Sequence, residues 1–254
     1  MTLRKRLGIF RSYLMYYAKP FGLRRLKHFY GNFVKEGDLC FDIGAHLGNR
    51  SKVFRDLGAK VIAVEPQPAC IDFLEKQFNE DDGFVLEKIA IGEKQGEMTL
   101  HISTLTPTVS TLTDKDWRDF VDESSTQSIK WDEQLEVPVF TLDDLIEKYG
   151  LPAFCKIDIE NYELNALKGL SSAIPAISFE FFRERINMAI DCIDRMEELG
   201  AYSYNISAGE SQKMFFHSWL SPAELKEKLK QGHIFKAASG DIYGLIKTKG
   251  YATM

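Results

Sequence analysis

A glycine-rich segment at residues 42–49 has the composition of a turn that leads from a strand into a helix and approaches a ligand closely. Its glycines, Gly44 and Gly48, are spaced G-x-x-x-G, unlike the G-x-G-x-x-G turn that binds a dinucleotide pyrophosphate, and His46 stands where a middle glycine would be. Asp42 precedes the turn, and its carboxylate would repel a pyrophosphate but suits a cationic amino-acid group. The segment therefore favours a ligand with such a group.

A second carboxylate, Glu65, follows Asp42 by 23 residues and ends the next predicted strand. A carboxylate at that point can accept hydrogen bonds from both hydroxyls of an adenosine ribose, as in nucleotide-binding α/β folds. An acid at a strand end is unremarkable alone. Together with the glycine-rich turn, it indicates a nucleoside-containing ligand.

Three charged residues, Lys156, Asp158 and Glu160, alternate along a later predicted strand, so their side chains share one face. Parallel sheets bind ligands at the carboxyl ends of their strands, and Glu180 on the following strand could join the group. Two interpretations stay open. Asp158 or Glu160 contacts the ligand while Lys156 sets the local charge, or the residues form a structural ion pair with a carboxylate at a helix N-terminus.

The elements that would position these residues alternate between strands and helices. Apolar runs bounded by glycine and proline predict strands, and periodic segments predict helices. The predicted order is strand 38–43, helix 49–57, strand 60–64, helix 68–78, strand 84–91, a short helix after Thr141, strand 153–159, helix 161–170, strand 176–182, helix 187–199, strand 202–206, helix 221–231 and strand 241–247. A βαβαβ start implies right-handed crossovers and a parallel sheet.

The alternation of predicted strands and helices is interrupted between residues 92 and 140. Residues 97–102 could form a strand, and a polar, Ser/Thr-rich insertion covers about 103–136. Long irregular insertions in compact domains are usually functional covers or disordered segments. A cover of the site and a peripheral decoration without ligand contact both remain open.

The bulk composition is that of an ordinary globular chain. The protein has 254 residues, 44% of them hydrophobic and 27% charged, which fits one domain over 36–254 with additions. The four cysteines form no C-x-x-C pair, and the histidines show no metal-ligand spacing, so we expect no metal site. Without an apolar run long enough for a bilayer span or a signal peptide, we expect a cytoplasmic protein.

Charge is distributed unevenly along the chain. Residues 1–35 carry nine Lys or Arg and no acid, whereas the rest carries 23 Lys or Arg against 37 Asp or Glu. We expect this basic segment to be a helical extension packed on the domain. Its interleaved apolar residues would let it lie on an anionic membrane surface or steer an anionic substrate. A packed helix with a solvated basic face explains the pattern equally well.

Taken together, the motifs resemble the FkbM-like family of S-adenosylmethionine (SAM)-dependent methyltransferases. The resemblance covers roughly residues 30–182, in family order. Its blocks are 41–49 (FDIGAHLGN), 64–66 (VEP), 141–145 (TLDDL), 156–160 (KIDIE) with Glu163, 167–169 (LKG) and 179–180 (FE). Two positions depart from the family pattern, because His46 stands where Asn is common and Asn161 where Gly is common. Both departures concern the shape of loops.

The resemblance implies a doubly wound α/β fold with a mostly parallel seven-stranded sheet of order 3-2-1-4-5-7-6, helices on both faces and the last strand antiparallel. It also implies SAM as methyl donor, S-adenosylhomocysteine as product, and usually a hydroxyl of a sugar, glycan or secondary metabolite as acceptor. By this resemblance, a set of motif residues and their neighbours would bind the methionine end, the ribose and the adenine of the donor. They are Asp42, Gly44, Ala45, His46, Gly48, Asn49, Glu65, Pro66, Ile89, Ala90 and Asp158.

An alcohol is a poor nucleophile at neutral pH, so a base within hydrogen-bond reach should help methyl transfer. Our candidates for this catalytic role are Asp158, Glu160 and His46. Two other functions stay open: an NAD-linked oxidoreductase, which the glycine spacing disfavours, and a non-catalytic SAM-binding protein. Nucleic acid is a weaker candidate acceptor because the body of the protein is acidic. The oligomeric state is not predicted.

Overall fold

Ten strands in two sheets form the framework. In a computed structural model, which describes residues 2–113, 115–124, 129–231 and 237–247, the strands are β1 (Leu39–Ile43), β2 (Lys60–Val64), β3 (Phe84–Glu87), β4 (Ala90–Ile91), β5 (Gly96–Ile102), β6 (Glu133–Phe140), β7 (Phe154–Ile157), β8 (Ala176–Phe182), β9 (Tyr202–Ala208) and β10 (Ser239–Ile246). Parts of the predicted insertion (114 and 125–128) and domain (232–236 and 248–254) lie outside the described residues.

Seven strands make the main sheet, in the order β3-β2-β1-β7-β8-β10-β9. Numbered within this sheet alone, the order reads 3-2-1-4-5-7-6. Only β10 runs antiparallel to its neighbours, β8 and β9. The expected α/β fold with a seven-stranded, mostly parallel sheet is confirmed.

Helices cover both faces of the main sheet, which explains why its central strands β1 and β7 are apolar except for Asp42 and Lys156. Phe41 and Ile43 of β1 belong to one buried cluster, while Cys40 belongs to another on the opposite face. The helices after the first strand are α3 (Asn49–Asp56), α4 (Pro68–Gln77), α5 (Lys115–Ser124), α6 (Leu142–Tyr149), α7 (Glu163–Lys168), α8 (Ile186–Leu199) and α9 (Pro222–Lys230), numbered to follow two N-terminal helices.

A second sheet, of order β4-β6-β5, corrects two predictions. The single strand expected over 84–91 divides, and its last two residues pair with β6 instead. The predicted insertion ends inside β6, which pairs antiparallel with β5. This strand escaped prediction because its first half alternates between partly and fully exposed residues, and only Val137 and Val139 are buried. The rest of the insertion holds a 3₁₀ turn at Pro107–Val109 and α5.

The basic N-terminal segment forms two helices, α1 (Leu3–Tyr17) and α2 (Gly22–Tyr30). The chain breaks between them at Pro20 and at Phe21, whose backbone is left-handed (φ 59°). Helix α2 buries aromatic side chains against the domain, whereas α1 buries only Gly8, Ile9 and Ser12. Neither these helices nor the others described are long and apolar enough to cross a membrane.

Gly8 marks where α1 packs closest to the domain. A Cβ built on it would lie 2.1 Å from the Thr104 carbonyl oxygen and 3.2 Å from the Pro107 ring. We therefore expect Gly8→Ala to displace α1 and to cost about 1–3 kcal/mol in the free energy of unfolding. The loss should appear in thermal unfolding and as faster tryptic cleavage in α1. Gly22→Ala in α2 is the matched control, since its Cβ meets only Lys19 Cβ at 3.4 Å. Equal effects of the two substitutions would contradict this packing.

Candidate functional site

A cleft of about 980 Å³, including its open mouth, lies at the carboxyl ends of β1, β2 and β7. This is where parallel α/β sheets bind ligands. Helix α1 and the second sheet complete its walls. Most of the residues predicted from sequence line it, namely Asp42, Gly44, Ala45, His46, Asn49, Glu65, Pro66, Ile89, Ala90, Asp158 and Glu160. Gly48 is outside the lining set.

The turn after β1 has its shape because two strands end side by side. Gly44 has a left-handed backbone (φ 79°), and a Cβ there would lie 1.9 Å from the Asp158 carbonyl oxygen. Only glycine fits this close approach. Gly48 is also left-handed (φ 72°), and its Cβ would meet Leu74 and Phe78 of the neighbouring helix. Its place in the motif is thus explained by helix packing.

Glu65 ties the turn after β1 to the segment after β2. The carboxylate is 2% exposed and accepts backbone hydrogen bonds from His46 (2.8 Å) and Gln67 (2.8 Å), one on each oxygen. Burial raises the pKa of Glu65 to about 7, although the two amides oppose the shift. Each oxygen keeps a lone pair, so the group can still accept hydrogen bonds from a ligand.

His46 presents an uncharged ring to the cleft. Its backbone is left-handed (φ 51°), and the ring of Tyr16 from α1 stands against it at 5.5 Å between centroids. Both ring nitrogens are buried without a hydrogen-bond partner among the described residues. Burial lowers the pKa of His46 to about 4, which leaves the imidazole neutral at pH 7.

Asp42 is a buried anchor beneath the turn. It is 2% exposed and accepts a hydrogen bond from Ser51 Oγ at 2.5 Å. Burial raises its pKa, and the Ser51 hydrogen bond opposes the shift. The next helix also carries Arg50, which lines the cleft and pairs with Glu210 at 3.2 Å. The Arg50 Nε atom is buried without a partner among the described residues.

Lys156 organises the acidic side of the cleft. Its ammonium group, 2% exposed, lies 2.8 Å from Asp158 and 3.4 Å from Asp241. Burial alone would favour the neutral acid at Asp158, but the charge and hydrogen bond of Lys156, together with Arg50 and Glu180, hold the pKa of Asp158 below its ordinary value. The ion pair of the second sequence interpretation is therefore present. Lys156 and Asp158 also line the cleft, as the first interpretation requires.

Glu160 and Glu180 stand close to Asp158 in the same cluster. One oxygen of each of these three carboxylates lies within 4.8 Å of the others. Burial, followed by the Asp158 charge, raises the pKa of both glutamates well above the ordinary value. Burial and the neighbouring carboxylates thus disfavour the ionised form of each glutamate, because like charges at this distance repel one another.

Several residues of the cleft were not predicted from sequence. Tyr16 comes from α1, and the insertion contributes a strip of the cleft wall between Pro107 and Leu112. Thr111 of this strip donates a hydrogen bond to the Glu160 carbonyl oxygen (2.8 Å), and Gln67 donates one to the Pro107 carbonyl oxygen (3.2 Å). Such contacts join segments far apart in sequence, so no local pattern reveals them.

Comparisons with known proteins agree with the motifs. Hexuronic acid methyltransferase AglP from Haloferax volcanii is 22% identical over 149 residues, which are 58% of this chain and 55% of that protein. The chain thus spans about half the length of this relative.

Solved structures with similar folds include a TehB-like SAM-dependent methyltransferase from Corynebacterium glutamicum, with 12% identity, a TM-score of 0.47 and 94% of each chain covered. A SAM-dependent O-methyltransferase from Thermotoga maritima has 10% identity and a TM-score of 0.43, covering 94% of this chain and 72% of that one. The sequence profile of the methyltransferase FkbM domain matches residues 42–204. The chain therefore belongs to the FkbM methyltransferase family.

Proposed function

We propose that the protein transfers a methyl group from SAM to a hydroxyl oxygen of a sugar or another hydroxylated metabolite. The observation that carries this proposal is the placement of Glu65, the Gly44 turn and Asp158 around one cleft. These residues offer separate places for the ribose and the cationic methionine end of the donor. Family membership agrees with methyl transfer and speaks against an NAD-linked oxidoreductase.

The cleft suits each part of SAM. The remaining lone pairs of Glu65 match the two ribose hydroxyls. Ile89 and Ala90 line the cleft near Glu65, where apolar contact suits an adenine ring. Asp158, held ionised by Lys156, supplies negative charge for the amino group and the sulfonium. The match between the cleft and SAM is thus one of residue types and positions. When bound, the donor would supply an electrophilic methyl group.

Among the three candidate bases, the structure supports Glu160. His46 is a weak base because burial lowers its pKa to about 4, and Asp158 is a weak base because Lys156 stabilises its ionised form. Burial and the neighbouring Asp158 make the Glu160 carboxylate the strongest base of the three. We assign it the removal of the acceptor hydroxyl proton, while the walls of the cleft align the acceptor and exclude water.

A sugar is the acceptor class that the comparison favours, since the relative from Haloferax volcanii is a hexuronic acid methyltransferase. The cleft adds support, because its lining includes charged groups that can bind hydroxyl or carboxylate oxygens. Arg50, with its buried unpartnered Nε, and Glu210 are there. A hexuronic acid offers both kinds of oxygen, so the test must distinguish an ether from an ester.

Donor binding should depend on pH through Glu65. Ribose hydroxyls and a cationic ligand favour the ionised carboxylate, so SAM affinity should fall as the pH falls through about 7. Isothermal titration calorimetry in buffers of different ionisation enthalpy should show proton release on binding below that pH. Glu65→Gln should weaken binding by about 100-fold and flatten the pH dependence.

The exposed Glu97→Ala is the matched control and should bind as the wild type does. Thermal unfolding identifies any Glu65→Gln protein that has not folded. A folded variant with unchanged affinity and pH dependence would refute the ribose assignment, and preferential binding of NAD would refute the donor.

Methyl transfer should depend on Glu160. With SAM and a panel of neutral hexose and hexuronic acid glycosides, mass spectrometry should detect a methylated product that survives mild alkali, as an ether does and an ester does not. The turnover number should rise with pH, because the base acts when ionised and its pKa is raised. Glu160→Gln should lower it by about 10²- to 10⁴-fold and leave SAM affinity nearly unchanged.

Glu147→Gln, on the exposed face of α6, should leave the turnover number unchanged. An alkali-labile product would show that a carboxylate is the acceptor and that no base is needed. SAM binding without transfer to any member of a broad acceptor panel would favour the non-catalytic alternative.

A further inference from the structure

Helix α1 carries a stripe of large apolar side chains on the face opposite the domain. Leu3, Leu7, Phe10 and Leu14 are 84%, 50%, 56% and 45% exposed. Their spacing of four, three and four residues places them within an arc of about 60° on the helix. The buried residues of α1, Gly8, Ile9 and Ser12, point to the other side. Among the described residues, the stripe therefore has no packing partner.

Basic side chains flank the stripe on both sides. In the helical projection Arg6 lies along one edge, and Arg4 and Arg11 lie along the other. Arg4 pairs with Asp132 at 3.2 Å, but no described carboxylate forms an ion pair with Arg6 or Arg11. An apolar stripe with arginines at both edges is the pattern of a helix that lies in the plane of a membrane interface.

The cationic surface continues beyond α1. Phe21, which is 74% exposed, follows the first helix, and Arg24 and Arg25 lie on the exposed side of α2. Arg24, Arg25 and Lys213 line a shallow groove together. The described parts of this surface thus combine exposed apolar residues with several cations.

The arginines beside the stripe distinguish between two partners that could cover it, a second copy of the chain and a membrane. If two copies of the chain paired through α1, the arginines would face one another, and residues 1–35 contain no acid to neutralise them. An anionic membrane has an apolar interior beneath a negatively charged surface. It therefore complements both the apolar stripe and the arginines beside it. We infer that α1 docks this protein on anionic lipid membranes, with Leu3, Leu7, Phe10 and Leu14 inserted at the interface.

Docking would also bear on the cleft, because α1 has Tyr16 in the cleft wall on its inner face. The Tyr17 hydroxyl donates a hydrogen bond to the Leu47 carbonyl oxygen at 2.8 Å, which fixes the helix to the glycine-rich turn. A membrane bound to the outer face of α1 would thus be separated from the cleft only by the width of this helix. The inference does not depend on methyl transfer and can fail or hold independently of it.

The test uses the full chain and sedimentation with vesicles. We expect binding to phosphatidylcholine vesicles that contain about 30 mol% phosphatidylserine, and at least about tenfold weaker binding to phosphatidylcholine alone. Raising the salt from about 0.1 M to about 1 M, which shortens the Debye length from about 10 Å to about 3 Å, should weaken binding. Equal binding to both vesicles, or none to the anionic ones, would overturn the inference.

Two sets of variants separate the apolar and the charged contributions. The triple variant Leu7→Ser, Phe10→Ser, Leu14→Ser should lower vesicle affinity by about tenfold or more. Leu151→Ser with Val85→Ser, exposed apolar residues outside α1, is its matched control and should bind as the wild type does.

For the charges, Arg6→Glu with Arg11→Glu should lower affinity by about tenfold or more, since each cation near an anionic surface contributes about fivefold. Lys168→Glu with Lys230→Glu, exposed on α7 and α9, is the control and should have little effect.

Thermal unfolding and circular dichroism verify that each variant is folded. Wild-type binding by the folded triple variant would overturn the inference. So would a wild-type dimer in light scattering that the triple variant abolishes, because a second copy would then be the occupant of the stripe.

Discussion

The hydrogen bonds that two backbone amides donate to one buried carboxylate hold the site together. Glu65, at the end of β2, fixes the amide of His46 in the turn after β1 and that of Gln67 at the start of α4. Burying this charge raises its pKa to about 7, so the arrangement is costly in the free protein. The strands can bring their ends together only because Gly44 leaves room beside the Asp158 backbone. The Glu65 carboxylate and the Gly44 backbone therefore both fix the shape of the turn and line the cleft.

The charges of the cleft follow from a single buried ammonium group. Lys156 neutralises part of a cluster in which Asp158, Glu160 and Glu180 approach one another, and Asp241 shares the same cation. The net effect is a cavity in which the pKa of Asp158 is lowered and the pKa values of Glu160 and Glu180 are raised. Neighbouring carboxyl groups with pKa values shifted in opposite directions are typical of functional sites.

Sequence reasoning predicted the parts of the fold whose determinants are local. The alternation of apolar runs and helical segments predicted most strands of the main sheet, the family resemblance implied their order, and the spacing of the glycine-rich turn and Glu65 singled out residues that line the cleft. The second sheet was missed because the half-exposed β6 has a weak pattern, and its Pro138 interrupts the apolar residues. Tyr16 and Arg50 could not be placed in the cleft, since their positions depend on how α1 and α3 pack, which is a property of the assembled domain.

One consequence of the way α1 covers the turn concerns the electrical neutrality of His46. Tyr16 stands against the imidazole, and the burial of both ring nitrogens keeps the proton off it at physiological pH. With α1 displaced, water would reach the ring and its pKa would return toward 6.5, so the imidazole would gain a positive charge at mildly acidic pH. The first helix of the chain thus controls the charge of the cleft, and shortening the protein at its N-terminus would alter the electrostatics of a turn more than thirty residues away.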